Sequence, residues 1–285
     1  MQFTVALAQL APKLGNLADN LEQHLHWIEK ARNAGADLIV FPELSLTGYI
    51  LQDLVPEIAL DMASPRLQPL LDRCRGIDCV FGFVEVSNHF NYYNAAAYVS
   101  DRKLRHIHRK LYLPTYGMFD EMRFFAMGEN LRTFQTRFGE IGLLICEDLW
   151  HPSTIYLHAQ DGATVVITVS CAPGRGVREA SLFSTSQAWE NLLKSTAQFH
   201  TVFNIYVNRV GFEDGAHFPG GSLVVNPAGQ VMAQAKYFEE DFVLAQLDVE
   251  EVRRARLFTP VLRDERLELT LRELTRIVQK RNAPH

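Results

Sequence analysis

Four residues carry side chains that could do covalent chemistry where the chain places them. Cys146 follows the aliphatic run 141–145 in "GEIGLLICEDLWHP" (139–152), with Glu147, Asp148, Trp150, His151 and Pro152 close behind. A thiol at the tip of a strand sits where α/β proteins present side chains to ligands. A helix start beyond it would favour the thiolate or an oxyanion. Taken alone, such a cysteine is more often an inert buried hydrophobe. Glu43 follows Pro42 at the end of "LIVFPEL". A partly desolvated carboxylate there has a raised pKa and suits a general base, although a surface or helix-capping glutamate is the plainer reading. Lys110 stands in "HIHRKLYLP" before Pro114, where its charge could hold a developing oxyanion; most lysines are simply solvated. Glu121 lies in the aromatic-rich "YGMFDEMRFF", and an ion pair with Arg123 is its plain alternative. No one of the four is specific by itself.

The elements that must position them read as α/β. "FTVALAQL" (3–10) is a buried strand, a helix runs from about 20 to 33 with Gly35 as its stop, and "ADLIVFPEL" (36–44) is a second strand. Strands at 79–86 and 94–100 pair, 100–103 turns, and 104–114 returns as a strand. "GEIGLLIC" leads into a helix near 153–160, and "ATVVITVS" (163–170) into a longer one near 178–200. A strand at 201–211 and a hairpin about Asn226-Pro227-Ala228-Gly229 follow. The stretch 241–252 begins as a last strand, and the tail from 264 is helical in pattern. With no internal repeat or low-complexity linker, the chain reads as a single domain over residues 1–285. Its surplus of strands predicts two sheets inside and helices outside.

Composition narrows the function classes. With 47% hydrophobic and 21% charged residues the chain is an ordinary soluble globular protein. A net charge of -5 gives no reason to expect nucleic acid or an anionic membrane as partner. No signal peptide or membrane span is read. The four cysteines form no C-x-x-C pair, so a cytoplasmic setting is expected. His106 and His108 share a strand face, but a metal site would need further ligands and none is evident. Gly220-Gly221 reads as a turn, and there is no G-x-x-x-x-G-K-[ST] phosphate loop.

Order and context then become specific. Glu after F-P, Lys in R-K-x-Y-L-P and Cys in L-L-I-C-E-D-x-W resemble the Glu-Lys-Cys triad of the nitrilase superfamily of carbon–nitrogen hydrolases. The resemblance runs from "VALAQLAPKLGNLADNL" through "VNRVG" and the hairpin to "FVLAQLDVEEVRRAR". It implies a four-layer α-β-β-α sandwich of the nitrilase type, paired into a homodimer or higher homo-oligomer. It further implies Glu43 as general base, Lys110 as oxyanion stabiliser, Cys146 as nucleophile and Glu121 as assisting glutamate, with no metal or organic cofactor. "ELSLTGY", "LPTYGMFDEMRFF", "ICEDLWHP" and "PVLRDE" are most similar to the glutaminase domain of glutamine-dependent NAD synthetases, whose Glu matches Glu147. Where the family commonly has a Glu-Asn pair, this chain has "FHT" (199–201).

The expected function is therefore thiol-dependent hydrolysis of a small linear carboxamide to the acid and ammonia, glutaminase-like or as an aliphatic amidase. The chain ends after about one glutaminase-sized domain, so a free-standing amidase is expected. Alternatives are a nitrilase, an N-carbamoyl amine hydrolase or an acyltransferase on the same triad, a catalytically idle scaffold, and a subunit donating ammonia to a separate synthetase. Candidate pocket residues are Tyr49, Tyr116, Phe119, Glu147, Trp150, Cys171 and Arg175; the guanidinium of Arg175 suits a substrate carboxylate.

Overall fold

The first strand, β1 (Gln2–Gln9), is apolar on both faces because each face enters a different core. Phe3, Val5 and Leu7 join one cluster, and Ala6 and Ala8 the other. This is the period of two of extended chain. Burial on both sides is why the strand reads as an apolar run rather than as alternation. The computed structural model describes residues 1–176 and 183–283.

Helix α1 (Leu17–Asn33) is capped by Asn16, whose Oδ1 accepts from Asp19 N at 3.2 Å, and buries Trp27, Ile28 and Ala31. The chain returns as β2 (Leu38–Val40), parallel to β1. Two short helices, α2 (Val55–Ile58) and α3 (Gln68–Arg73), precede an antiparallel run of β3 (Asp78–Val86), β4 (Tyr92–Ser100) and β5 (Lys103–Arg109). The expected turn at 100–103 is made by Asp101 and Arg102, both at positive φ.

The second half repeats the logic. A short β6 (Phe134–Thr136) pairs with β7 (Gly139–Ile145), and then come α4 (Pro152–Gln160), β8 (Val165–Ser170), α5 (Ser184–His200) and β9 (Phe203–Asn208). A separate hairpin, β10 (Val210–Glu213) and β11 (Ala216–Pro219), precedes β12 (Leu223–Val225) and β13 (Val231–Gln234). Last come β14 (Asp241–Asp248), α6 (Glu250–Phe258), α7 (Val261–Asp264) and α8 (Leu267–Asn282). The strand orders are β14-β1-β2-β3-β4-β5 and β13-β12-β9-β8-β7-β6. The inner face of the first sheet packs on the second, its outer face on α1 and α3, and α4 and α5 cover the second sheet. The result is a four-layer α-β-β-α sandwich. Among the described residues, no helix is long and apolar enough to cross a membrane.

Several boundaries differ from the sequence reading. The strand expected over 104–114 stops at Arg109: Lys110 N still donates to Asn94 O, but the amides of Leu111 and Tyr112 donate to the Asp148 carboxylate instead of a ladder. The strand expected over 201–211 breaks after Asn208, where Val210 N–H leaves for Leu10 O. The last strand ends at Asp248, whose Oδ1 accepts from Glu250 N at 3.1 Å and starts α6. Of the helix expected near 178–200, residues 178–182 lie outside the described residues.

Candidate active site

The carboxyl ends of β2, β5 and β7 converge, and three of the four chemically able residues arrive on them. Glu43 and Lys110 come from the first sheet, just beyond β2 and β5, while Cys146 follows β7 of the second. Glu121 comes from a short 3-10 turn, Glu121–Arg123. Glu43 is 0% exposed, Lys110 1%, Glu121 4% and Cys146 7%.

Lys110 is the centre of this cluster. Its Nζ donates to Glu43 Oε1 at 2.8 Å and to Glu121 Oε1 at 2.7 Å. An ammonium has three donors, so one is left for an incoming oxygen. Burial alone would drive the Lys110 pKa down, but the Glu121 and Glu43 carboxylates outweigh it and hold the pKa well above the ordinary value. For Glu121, burial pushes the pKa up, Lys110 draws it down and Glu43 pushes it up again, leaving it at about 7. Tyr49 donates its hydroxyl to Glu121 Oε1 at 2.6 Å. The plain alternative, an ion pair of Glu121 with Arg123, does not form: Arg123 lies 4.0 Å from Asp120.

Glu43 is oriented from three directions. Asn94 Nδ2 donates to Oε1 at 2.7 Å beside Lys110, and Cys171 N donates to Oε2 at 2.6 Å. A carboxylate offers about four lone-pair directions, so three donors leave it room for one more proton.

Cys146 lies between β7 and the helix that the sequence places near 153–160. It begins a 3-10 turn, Cys146–Trp150, and α4 starts only at Pro152. Its φ is +45°, in the left-handed region that a residue with a Cβ occupies at a cost of about 1–3 kcal/mol. Asp148 keeps the turn in this shape. Its Oδ2 accepts from Ile145 N at 3.0 Å and meets His108 Nε2 at 2.8 Å, while Oδ1 accepts from Leu111 N and Tyr112 N. One buried carboxylate thus ties the residue before Cys146 to the residues after Lys110. Burial pushes the Cys146 thiol well up, Glu43 adds to this and Lys110 opposes it. Its surroundings therefore favour the neutral thiol over the thiolate.

A pocket of about 140 Å³ reaches Cys146, with Tyr116, Phe119, Glu147, Trp150 and Arg175 on its wall. Tyr116 OH donates to both Glu147 oxygens, at 3.0 and 2.9 Å, and the Arg175 guanidinium lies 4.8 Å from the centre of the Phe119 ring. Two expected pocket residues stand elsewhere. Tyr49 is behind Glu121 and borders a second pocket of about 250 Å³ that does not reach Cys146. Cys171 is buried, with its thiol donating to Glu43 O and its amide turned to the Glu43 carboxylate. Asn94, Asp148 and Ser170 were not singled out from sequence. Each is a polar residue within or just beyond an apolar strand, the one local sign that it would need a buried partner. His106 stacks on Phe134 and His108 bonds Asp148; among the described residues no His, Cys, Asp and Glu group is placed to hold a metal.

Residues 4–257 match the family model described as carbon-nitrogen hydrolase. The chain is 34% identical to the glutamine-dependent NAD(+) synthetase of Thermotoga maritima over 267 residues, covering 91% of this chain and 44% of that protein. It is also 34% identical to an (R)-stereoselective amidase from a Pseudomonas species, covering 93% and 92%. The structure of the glutamine-dependent NAD+ synthetase of Acinetobacter baumannii superposes with a TM-score of 0.79 at 32% identity, covering 88% of this chain and 47% of that one. The chain thus spans about half the length of the synthetases it matches, and nearly the whole of the amidase.

Proposed function

The chain belongs to the carbon–nitrogen hydrolase family, and from that premise we propose that it hydrolyses a small linear carboxamide to the acid and ammonia through a thioester on Cys146. The observation that carries this reading is the buried Lys110 ammonium held between Glu43 and Glu121 in the same strand-end cluster as Cys146, which the pocket reaches. In the proposed reaction Glu43 takes the thiol proton as Sγ attacks the amide carbon. Lys110 and the backbone N–H of Glu147 receive the tetrahedral oxyanion; losing one such donor typically costs about 3 kcal/mol in the barrier. The C–N bond breaks as Glu43 passes its proton to the nitrogen, and ammonia departs. Water then attacks the thioester carbonyl. Glu43 takes one of its protons, the C–S bond breaks, and that proton returns to sulfur as the acid leaves.

The pocket wall favours an amide that carries both charges of an amino acid. Glu147 supplies an anion and Arg175 a cation on the wall of the pocket that reaches Cys146. A glutaminase-like substrate, with an α-ammonium and an α-carboxylate remote from the amide, complements both. The test is ammonia release from glutamine, asparagine, aliphatic amides, N-carbamoyl amines and nitriles, with Cys146→Ala as blank. Glutamine turnover that vanishes in a folded Cys146→Ala protein is expected; equal release by that variant would remove Cys146 from the reaction. A second reading, ammonia donation to a synthetase, is favoured by relatives twice as long as this chain. It predicts glutamine turnover that rises when an ammonia-dependent synthetase is supplied.

A further inference from the structure

A serine hydroxyl touches the sulfur itself. Ser170, the last residue of β8 and 0% exposed, donates Oγ–H to Cys146 Sγ at 3.2 Å. Tyr206 on β9, 2% exposed, donates its own hydroxyl to Ser170 Oγ at 3.4 Å. The strands fix this line. In the parallel pair β7 and β8, Ile145 stands opposite Val169, so the next residues, Cys146 and Ser170, emerge side by side. In β8 and β9, Thr168 stands opposite Tyr206, and Ser170 lies two residues on along the same face. Among the described residues no other side chain hydrogen-bonds Sγ, and the hydrogen bonds of the Glu43 carboxylate go to Lys110, Asn94 and the amide of Cys171.

We propose that Ser170, oriented by Tyr206, is a further catalytic residue: a fixed hydroxyl donor that stabilises the Cys146 thiolate as Glu43 removes the thiol proton. This rests on Cys146 being the nucleophile. A donor bonds an anionic sulfur more strongly than a neutral thiol, so it lowers the cost of ionisation. Ser170 keeps its own proton throughout. Because it donates rather than accepts, the thiol proton is not engaged by it and stays available to Glu43. Tyr206 occupies a lone pair of Ser170 Oγ and so turns the Ser170 hydrogen toward sulfur. Glu43 and Lys110 stand on the first sheet, whereas Ser170 reaches the sulfur from within the second. Burial and Glu43 push the thiol up, and the Ser170 bond is one of the influences that oppose them.

The test is the rate of Cys146 alkylation by iodoacetamide across pH, mapped by mass spectrometry on the full chain. Wild type, Ser170→Ala and Tyr206→Phe are compared, with circular dichroism to confirm folding and ammonia release measured in parallel. In Ser170→Ala the alkylation midpoint should rise by about one pH unit and the rate near neutrality should fall about tenfold, the scale of one hydrogen bond to an ion. Tyr206→Phe should shift the same way by less, and kcat should fall with KM little changed. A Ser170→Ala profile that overlays the wild type overturns the proposal. Should Ser170→Ala not fold, Tyr206→Phe decides alone, and its unshifted profile overturns the proposal equally. A shifted profile in a protein that releases ammonia from no amide upholds the Ser170 contact and removes only the substrate reading.

Discussion

Glu121 is held by its buried surroundings at a pKa near neutrality. Burial raises its pKa, Lys110 lowers it and Glu43 raises it, from an ordinary 4.5 to about 7. A folded pKa above the unfolded one means that folding favours the protonated acid. That stabilisation is complete below about pH 4.5 and is lost as pH climbs through about 7. A shift of this size corresponds to on the order of 3 kcal/mol. Glu121→Gln keeps the shape of the side chain and removes the titration. Urea unfolding near about pH 5 and about pH 8 should show wild type losing stability at the higher pH, with the loss largely absent from the variant. Equal pH dependence in the two proteins would show that Glu121 titrates elsewhere. Glu121 was legible from its aromatic surroundings and family motif. Its true partner was not, because Lys110 is distant in sequence while Arg123 is a neighbour.

At the level of elements, the site depends on turns held by buried carboxylates. Asp148 joins the Cys146 turn to the segment after Lys110 by accepting from three backbone amides and meeting His108. Glu213 does the same elsewhere: its Oε1 accepts from Tyr49 N and Ile50 N, and its Oε2 meets Arg209, which fixes the loop that brings Tyr49 to Glu121. Asp148→Ala should destabilise the protein by about 3 kcal/mol or more, since it strands several buried N–H groups. The measurement is urea unfolding; a cost below about 1 kcal/mol would mean that the amides find other partners. Such clamps mark the limit of sequence reading. The strand ending at Ile145 and the helix after Pro152 announce themselves through aliphatic runs and Pro placement. That β5 stops at Arg109 does not, because the acceptor that ends it is supplied by Asp148 from another strand's end. The "FHT" departure is likewise local: α5 ends at His200 and Thr201 takes the left-handed cap at φ +51°.

For the whole molecule, the consequence is that no single layer holds the site. Glu43 and Lys110 stand on one sheet and Cys146 and Ser170 on the other, so their spacing is set by the packing between sheets. This two-sheet plan was readable from the surplus of strands, but which face of a central strand such as β1 meets the other sheet was not, because both of its faces are buried. Leu7 shows the linkage. It is 0% exposed, lies in the core shared by the two sheets, and pairs with Val40 of β2 and Val243 of β14. Leu7→Ala should cost about 2–5 kcal/mol, the usual range for a buried leucine. If residues 1–285 fold as one domain, that cost should appear once. The urea midpoints of secondary structure and of ammonia release should then move down together. A variant whose activity is lost well before its secondary structure would instead place the site in a separately unfolding unit. The sheets share one apolar cluster that also includes Cys146 itself, so opening the space between them exposes that core and separates Lys110 from the thiol in the same event. Coincident curves are therefore the expected result.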